Sequence, residues 1–205
     1  MLKINDILFW RKPKQKEQKK YHIILDCSTL LEFDPENEDR DGIFLGDVWN
    51  MAAQHSTDPS TQVASALVSW RGGIVLAAWN EVPPELEGHG YPKCLNTKNL
   101  FTEHAERRVL YKAVNNGIDM RGLQLYGTWV GCADCCRTII QLGIKRVVTF
   151  QRLLERTPPK WQDSMRHGVQ MMRDSGIQVI GWTGVIHSQH KIRFGGELLG
   201  VEDLL

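Results

Sequence analysis

No stretch of this chain stays apolar for the roughly 20 residues that a membrane-spanning helix needs. The apolar run Ile7-Leu8-Phe9-Trp10 stops at Arg11-Lys12-Pro13-Lys14 and is too short for the core of a secretory signal. Charge of one sign is missing too. The 25 Lys and Arg against 24 Asp and Glu leave a net charge of +1, so no global basic field is present to hold a nucleic-acid backbone. Cysteine is sparse and odd in number: Cys27, Cys94, Cys132, Cys135 and Cys136. Three of these fall within five residues and two are adjacent, which suits a disulfide framework poorly and metal chemistry in a reducing compartment well. A cytoplasmic protein with a small-molecule partner is expected, with no membrane contact and nucleic acid not expected. Repeats and low-complexity segments are also missing. The 205 residues, 42% of them hydrophobic, suffice for one substantial domain.

The pattern along the chain divides it into an N-terminal extension (residues 1–42), a core domain (43–181) and a C-terminal tail (182–205). Residues 11–20 carry six basic side chains, and residues 32–41 hold Glu32, Asp34, Glu36, Glu38, Asp39 and Asp41. Both runs read as solvated surface segments, the alternative for the basic one being contact with nucleic acid or an acidic partner, with Tyr21–Leu25 between them as an added strand. In the core, Phe44, Leu45, Val48, Trp49 and Ala52 recur at helical spacing, up to a stop at His55–Pro59. Val63–Val68 and Ile74–Trp79 read as two strands joined at Gly72-Gly73, a hairpin. A Pro- and Gly-rich loop follows over 80–100, then a helix over 102–115 stopped by Asn116-Gly117. Beyond it come a strand at Leu123–Val130, a helix at Cys132–Leu142, a strand at Lys145–Phe150, a helix at Trp161–Ser175 and a short strand at Ile177–Ile180. Strands linked by helices imply parallel pairing in the later half. The expected fold is α/β, with helices on both faces of a mixed sheet of about five strands.

His104-Ala105-Glu106, followed after residues 107–131 by Cys132-Ala133-Asp134-Cys135, carries the chemistry. Residues three apart share a helix face, so two sulfurs in a first turn can meet one ion. A helix N-terminus carries partial positive charge, which favours the thiolate that binds zinc. His104, Cys132 and Cys135 make three ligands, and Glu106 is a carboxylate to spare. A structural zinc site closes with four protein ligands, whereas a catalytic one keeps a position open. Three ligands and a free Glu suit hydrolytic deamination of a nucleobase at one catalytic zinc ion. Cys136, about 100° further round the helix, reads as a packed core thiol. His89 and Cys94 could hold a second, structural zinc. His187 and His190 read as surface residues, and Arg107 and Arg108 as facing water or a neighbouring subunit.

The pairing of His104-Ala105-Glu106 with Cys132-x-x-Cys135 resembles the zinc signature of the cytidine and deoxycytidylate deaminase superfamily. Asp58-Pro59-Ser60-Thr61-Gln62-Val63, Trp79-Asn80-Glu81-Val82-Pro83 and Gly143–Val148 are similar to the deoxycytidylate branch, so the likeness covers about residues 43–181. It implies the three-layer α/β/α cytidine-deaminase-like fold and a homo-oligomer. Zinc would sit on His104, Cys132 and Cys135, with Glu106 as the proton shuttle. Asn80 would meet the nucleotide sugar and the Ala105 backbone the pyrimidine. Val63, Trp129 and Val130 would form the wall, with Trp129 free either to stack on a base or to pack. The expected reaction is dCMP to dUMP with release of ammonia. The alternatives are deamination of another base or of a base within RNA or DNA, and a zinc-stabilised binding module without activity. The chain departs from the branch at Gly131, where a proline is usual, and at Arg107-Arg108-Val109, where an apolar-Asn-Ala run is usual.

Overall fold

The computed structural model describes residues 38–86, 88–89 and 97–204. The basic run at 11–20, the strand expected at Tyr21–Leu25, and Cys27 and Cys94 lie outside the described residues. Five strands form the central sheet: β1 (Ala64–Ser69), β2 (Ile74–Trp79), β3 (Leu123–Gly127), β4 (Arg146–Phe150) and β5 (Gln178–Trp182). Their order is β2-β1-β3-β4-β5, antiparallel across β2-β1-β3 and parallel across β3-β4-β5. The antiparallel β1–β2 pair follows from a tight turn, whose Gly72 takes φ +83° at no steric cost. The parallel half requires crossovers, which α3 (Ala133–Gln141) and α5 (Pro159–Asp174) supply.

One face is covered by α1 (Glu38–His55), which packs on β1 to β4. On the other, α2 (Ala105–Asn115) packs on β1, β2 and α3, and α3 packs closely on α5. This is the mixed five-stranded α/β arrangement expected from the pattern. Burial on both faces explains why β4 is buried at every position. Gly117, at φ +64°, ends α2 by letting the Ile118 N–H reach back to the Ala113 carbonyl at 2.9 Å.

Several expectations are corrected. The first helix starts at Glu38 rather than Phe44, and Asp41 is not solvated. Asp41 is 1% exposed, and its carboxylate receives Arg146 Nη2 at 2.6 Å and the Tyr126 hydroxyl at 2.5 Å. The strand expected to run to Val130 ends at Gly127, because Thr128–Gly131 turns away to deliver Cys132 to the site. A five-residue helix, α4 (Gln151–Glu155), is too short to show a period in sequence.

The tail expected from residue 182 is not set apart from the core. It holds a second hairpin, β6 (Ile192–Phe194) with β7 (Glu197–Leu199). Ile186, Ile192, Phe194, Leu199, Val201 and Leu204 join the same buried cluster as the sheet. Gly195 and Gly196, at φ +63° and +95°, form the two-residue turn. Such a turn needs positive φ at both positions, so Gly-Gly was a readable signal.

Candidate active site

Two helix N-termini converge behind the sheet. His104 is the residue before α2 and Cys132 the residue before α3, both with extended backbone. Cys135 follows in the first turn of α3. His104 Nδ1 lies 3.5 Å from Cys132 Sγ and 3.4 Å from Cys135 Sγ, and the two sulfurs are 3.6 Å apart. A tetrahedral zinc with bonds of about 2.3 Å to sulfur and about 2.0 Å to nitrogen has S–S edges near 3.8 Å and N–S edges near 3.5 Å. The donor triangle therefore fits zinc without rearrangement. Among the described residues no fourth His, Cys, Asp or Glu joins the group. Glu106 Oε2 comes within 3.6 Å of Cys135 Sγ yet stays outside it.

The electrostatics suit a cation. A hydrogen bond from the Cys135 thiol, together with His104, holds Cys132 down at about 3, against the opposing effect of burial. As the donor of that bond, and by its burial, Cys135 is pushed well above the usual thiol value. Burial would lower His104, but Cys132 and Glu106 outweigh it and the imidazole is raised. Burial raises Glu106, so its carboxyl group is biased toward holding a proton.

Around the donors the loops are tied down. Glu103 Oε1 accepts the His104 backbone N–H at 2.8 Å and Arg107 Nε at 2.7 Å. Arg107 also faces Asp134, between the cysteines, at 3.9 Å. Arg108 pairs with Glu81 and lies over the Trp79 ring. Of the two expectations for these arginines, water or a neighbouring subunit, the first is corrected: both are mostly buried against acids of their own chain. Cys136 is fully buried and donates its S–H to the Gly131 carbonyl, as a core thiol would.

A cleft opens in front of the donors, with His104, Glu106 and Cys132 at its floor. Of the expected substrate-binding residues, Val63, Asn80, Ala105 and Trp129 line it. Val130 does not: it is 1% exposed and packs in the core. Asn80 Oδ1 accepts from the Val63 N–H at 2.8 Å and the Ser56 hydroxyl at 2.6 Å, while Nδ2 donates to the Thr61 carbonyl at 2.7 Å. One Nδ2 hydrogen is left over for a ligand. Trp129 packs edge-on against Trp161, and Trp161 edge-on against His104.

Sequence reasoning passed over Trp161 and the buried pair of Lys98 with Asp58, whose Nζ reaches the two carboxylate oxygens at 2.5 and 2.6 Å. Asp58 stood within a recognised motif, but nothing in the spacing linked it to Lys98, 40 residues on. The HxxH residues His187 and His190 are exposed and remote from the donor group. The second zinc expected at His89 and Cys94 involves Cys94, which lies outside the described residues.

Fold and site together define an α/β protein with a three-donor metal centre that opens on a cleft beside a buried carboxylate. The chain belongs to the family described as the cytidine and deoxycytidylate deaminase zinc-binding region, whose model matches residues 41–151. A probable deoxycytidylate deaminase of Drosophila melanogaster is 29% identical over 139 residues, which is 60% of this chain and 68% of that one. The deoxycytidylate deaminase of Mus musculus is 32% identical over 104 residues, 48% of this chain and 57% of that one. The chain thus spans 68% and 57% of the length of these two relatives. The crystal structure of dCMP deaminase from the cyanophage S-TIM5, in complex with dCMP and dUMP, superposes with a TM-score of 0.55 at 22% identity. It covers 73% of this chain and 99% of that one, a likeness of fold.

Proposed function

We propose that the protein hydrolytically deaminates a free cytosine nucleotide, dCMP to dUMP, with release of ammonia. The observation that carries this reading is Glu106, buried at the edge of a three-donor site and facing a cleft, yet outside the donor group. A structural metal site gains nothing from such a carboxylate. His104, Cys132 and Cys135 would hold one zinc ion, which when bound supplies a water acidic enough to act as a nucleophile near neutral pH.

The chain's own residues do the rest. Glu106 takes a proton from the water that attacks C4 of the cytosine and delivers it to ring N3. It then takes the remaining water proton from the new C4 hydroxyl and carries it to the exocyclic amine; the C4–N bond breaks, ammonia leaves and the ring becomes uracil. A carboxylate that must change protonation state in each turnover is poorly used as a metal ligand. The backbone of Ala105 meets the pyrimidine edge, and the leftover Nδ2 hydrogen of Asn80 meets the sugar. Trp129 and Trp161 wall off the base and keep bulk water away.

The cysteines, odd in number and with three of them clustered at the proposed zinc site, support a reducing, cytoplasmic setting. Exposed Val75 on β2 and Tyr111 and Val114 on α2 support assembly with further copies. The test is ammonia release from dCMP, CMP, dCTP, deoxycytidine, cytosine, AMP, guanine and a single-stranded oligonucleotide, with Glu106→Ala alongside. Release from dCMP by the parent, and none by Glu106→Ala with its zinc retained, is the expected result. A turnover rate for Glu106→Ala equal to the parent's would remove the assignment.

A further inference from the structure

The hairpin β6–β7 lies beyond the segment matched by the family model, which ends at residue 151. Its backbone is nevertheless joined to one wall of the cleft. The Gln62 N–H donates to the Arg193 carbonyl at 2.7 Å, and the Arg193 N–H returns to Gln62 Oε1 at 2.8 Å. The Gly196 N–H donates to the Ser60 carbonyl at 2.9 Å. Ser60, Thr61 and Val63 line the cleft, whereas Gln62 points away from it. The same segment grips Asn80, through the Thr61 carbonyl and the Val63 N–H.

Residues 60–63 precede β1; the Asn80 N–H continues the β1–β2 ladder as far as the Val63 carbonyl, at 3.0 Å, and the backbone groups of residues 60–62 lie outside it. Unpaired buried backbone groups are costly, and here the hairpin pairs them on one side and Asn80 on the other. A second contact reaches another lining residue, Trp129. Phe194, 3% exposed, packs perpendicular to the Trp129 ring at 5.3 Å, while Trp129 Nε1 is held by Thr157 at 3.0 Å. The hairpin therefore touches two parts of the cleft lining, and these contacts involve none of the metal donors.

We propose that the hairpin of residues 192–199 is a positioning element for the substrate cleft, acting through Gln62 on the Ser60–Val63 wall with Asn80 and through Phe194 on Trp129. The inference rests on the deamination reading for the identity of the ligand, a cytosine nucleotide held by its sugar and base. Neither Gln62 nor Phe194 lines the cleft, so both act through other residues.

The test uses the full zinc-loaded chain with Gln62→Ala and, separately, the milder Phe194→Leu. Each is measured for dCMP kinetics, zinc content and amide hydrogen exchange at residues 61–63. Loss of one interaction that holds a binding residue raises KM about tenfold. kcat stays within about twofold, since Glu106 and the donors are untouched. Zinc content is unchanged, and exchange at 61–63 quickens in Gln62→Ala. An unchanged KM overturns the proposal. So does a fall in kcat in step with lost zinc, which would make the hairpin a support of the fold alone. If the parent releases no ammonia from dCMP, the deamination reading fails and the exchange data decide the brace. Faster exchange with zinc retained upholds it, and unchanged exchange refutes it.

Discussion

Asp41→Ala tests how the first helix is fastened to the sheet that carries the site. The carboxylate is buried, and its partner Arg146 has a side chain only 10% exposed. Removing one member of a buried pair leaves the other charge uncompensated, at about 3–5 kcal/mol. Arg146 Nη1 keeps Gln124 Oε1 at 2.9 Å and the Tyr126 hydroxyl at 3.1 Å, which places the expected loss near the lower figure, about 3 kcal/mol. For a chain of this size that is a fall in Tm of about 6–12 °C. Tyr126→Phe, which removes one hydrogen bond to Asp41, is expected to lose about 1 kcal/mol. The double change Asp41→Leu with Arg146→Met removes both charges and is expected to recover most of the loss. Urea unfolding at fixed free zinc measures all three, because bound metal adds to apparent stability. A loss below about 1 kcal/mol for Asp41→Ala would refute the reasoning, since it would mean that water reaches Arg146.

Arg107→Met removes the partner that steadies Glu103 under His104 and is expected to weaken zinc about tenfold in a chelator competition; an unchanged affinity would show that the Glu103 contact holds alone. Zinc binding near pH 7 is expected to release at least one proton per ion, because Cys135 is raised and His104 is raised while Cys132 is already a thiolate. Affinity then falls as pH falls, and calorimetry in buffers of different ionisation enthalpy counts the protons; zero release would contradict the protonation states given. Gly168→Ala places a methyl 2.6 Å from Cys136 Sγ, between α3 and α5, and is expected to lose about 1–3 kcal/mol in thermal or urea unfolding. A neutral result would mean that α5 can step back.

Local spacing made the metal donors legible. His104 and Glu106 sit two apart at one helix start, Cys132 and Cys135 three apart at another, and such periods survive in a one-dimensional string. The hairpin at Gly72 and the succession of core strands along the chain were legible for the same reason. Asp41 with Arg146, and Asp58 with Lys98, were not: each pair is made by the folded sheet and loop, and in sequence each acid looks like an ordinary surface charge. Val130 shows the opposite error. It stands one residue from Trp129, but the chain turns there and only one of the two side chains meets the cleft. The hairpin at Gly195-Gly196 was signalled by its turn and lost because three-residue strands show too little alternation to be read.

The two sulfurs 3.6 Å apart also set how the protein tolerates handling. With metal between them they are shielded donors; stripped of it they are a close dithiol, one member of which is already ionised. Thiolate attack and loss of two electrons to an oxidant would close that gap to a disulfide of about 2.05 Å, in which neither sulfur can ligate. Chelation followed by air would therefore leave a folded chain that ignores added zinc until a reductant reopens the pair. The order of those two treatments, rather than their extent, decides whether the centre can be refilled.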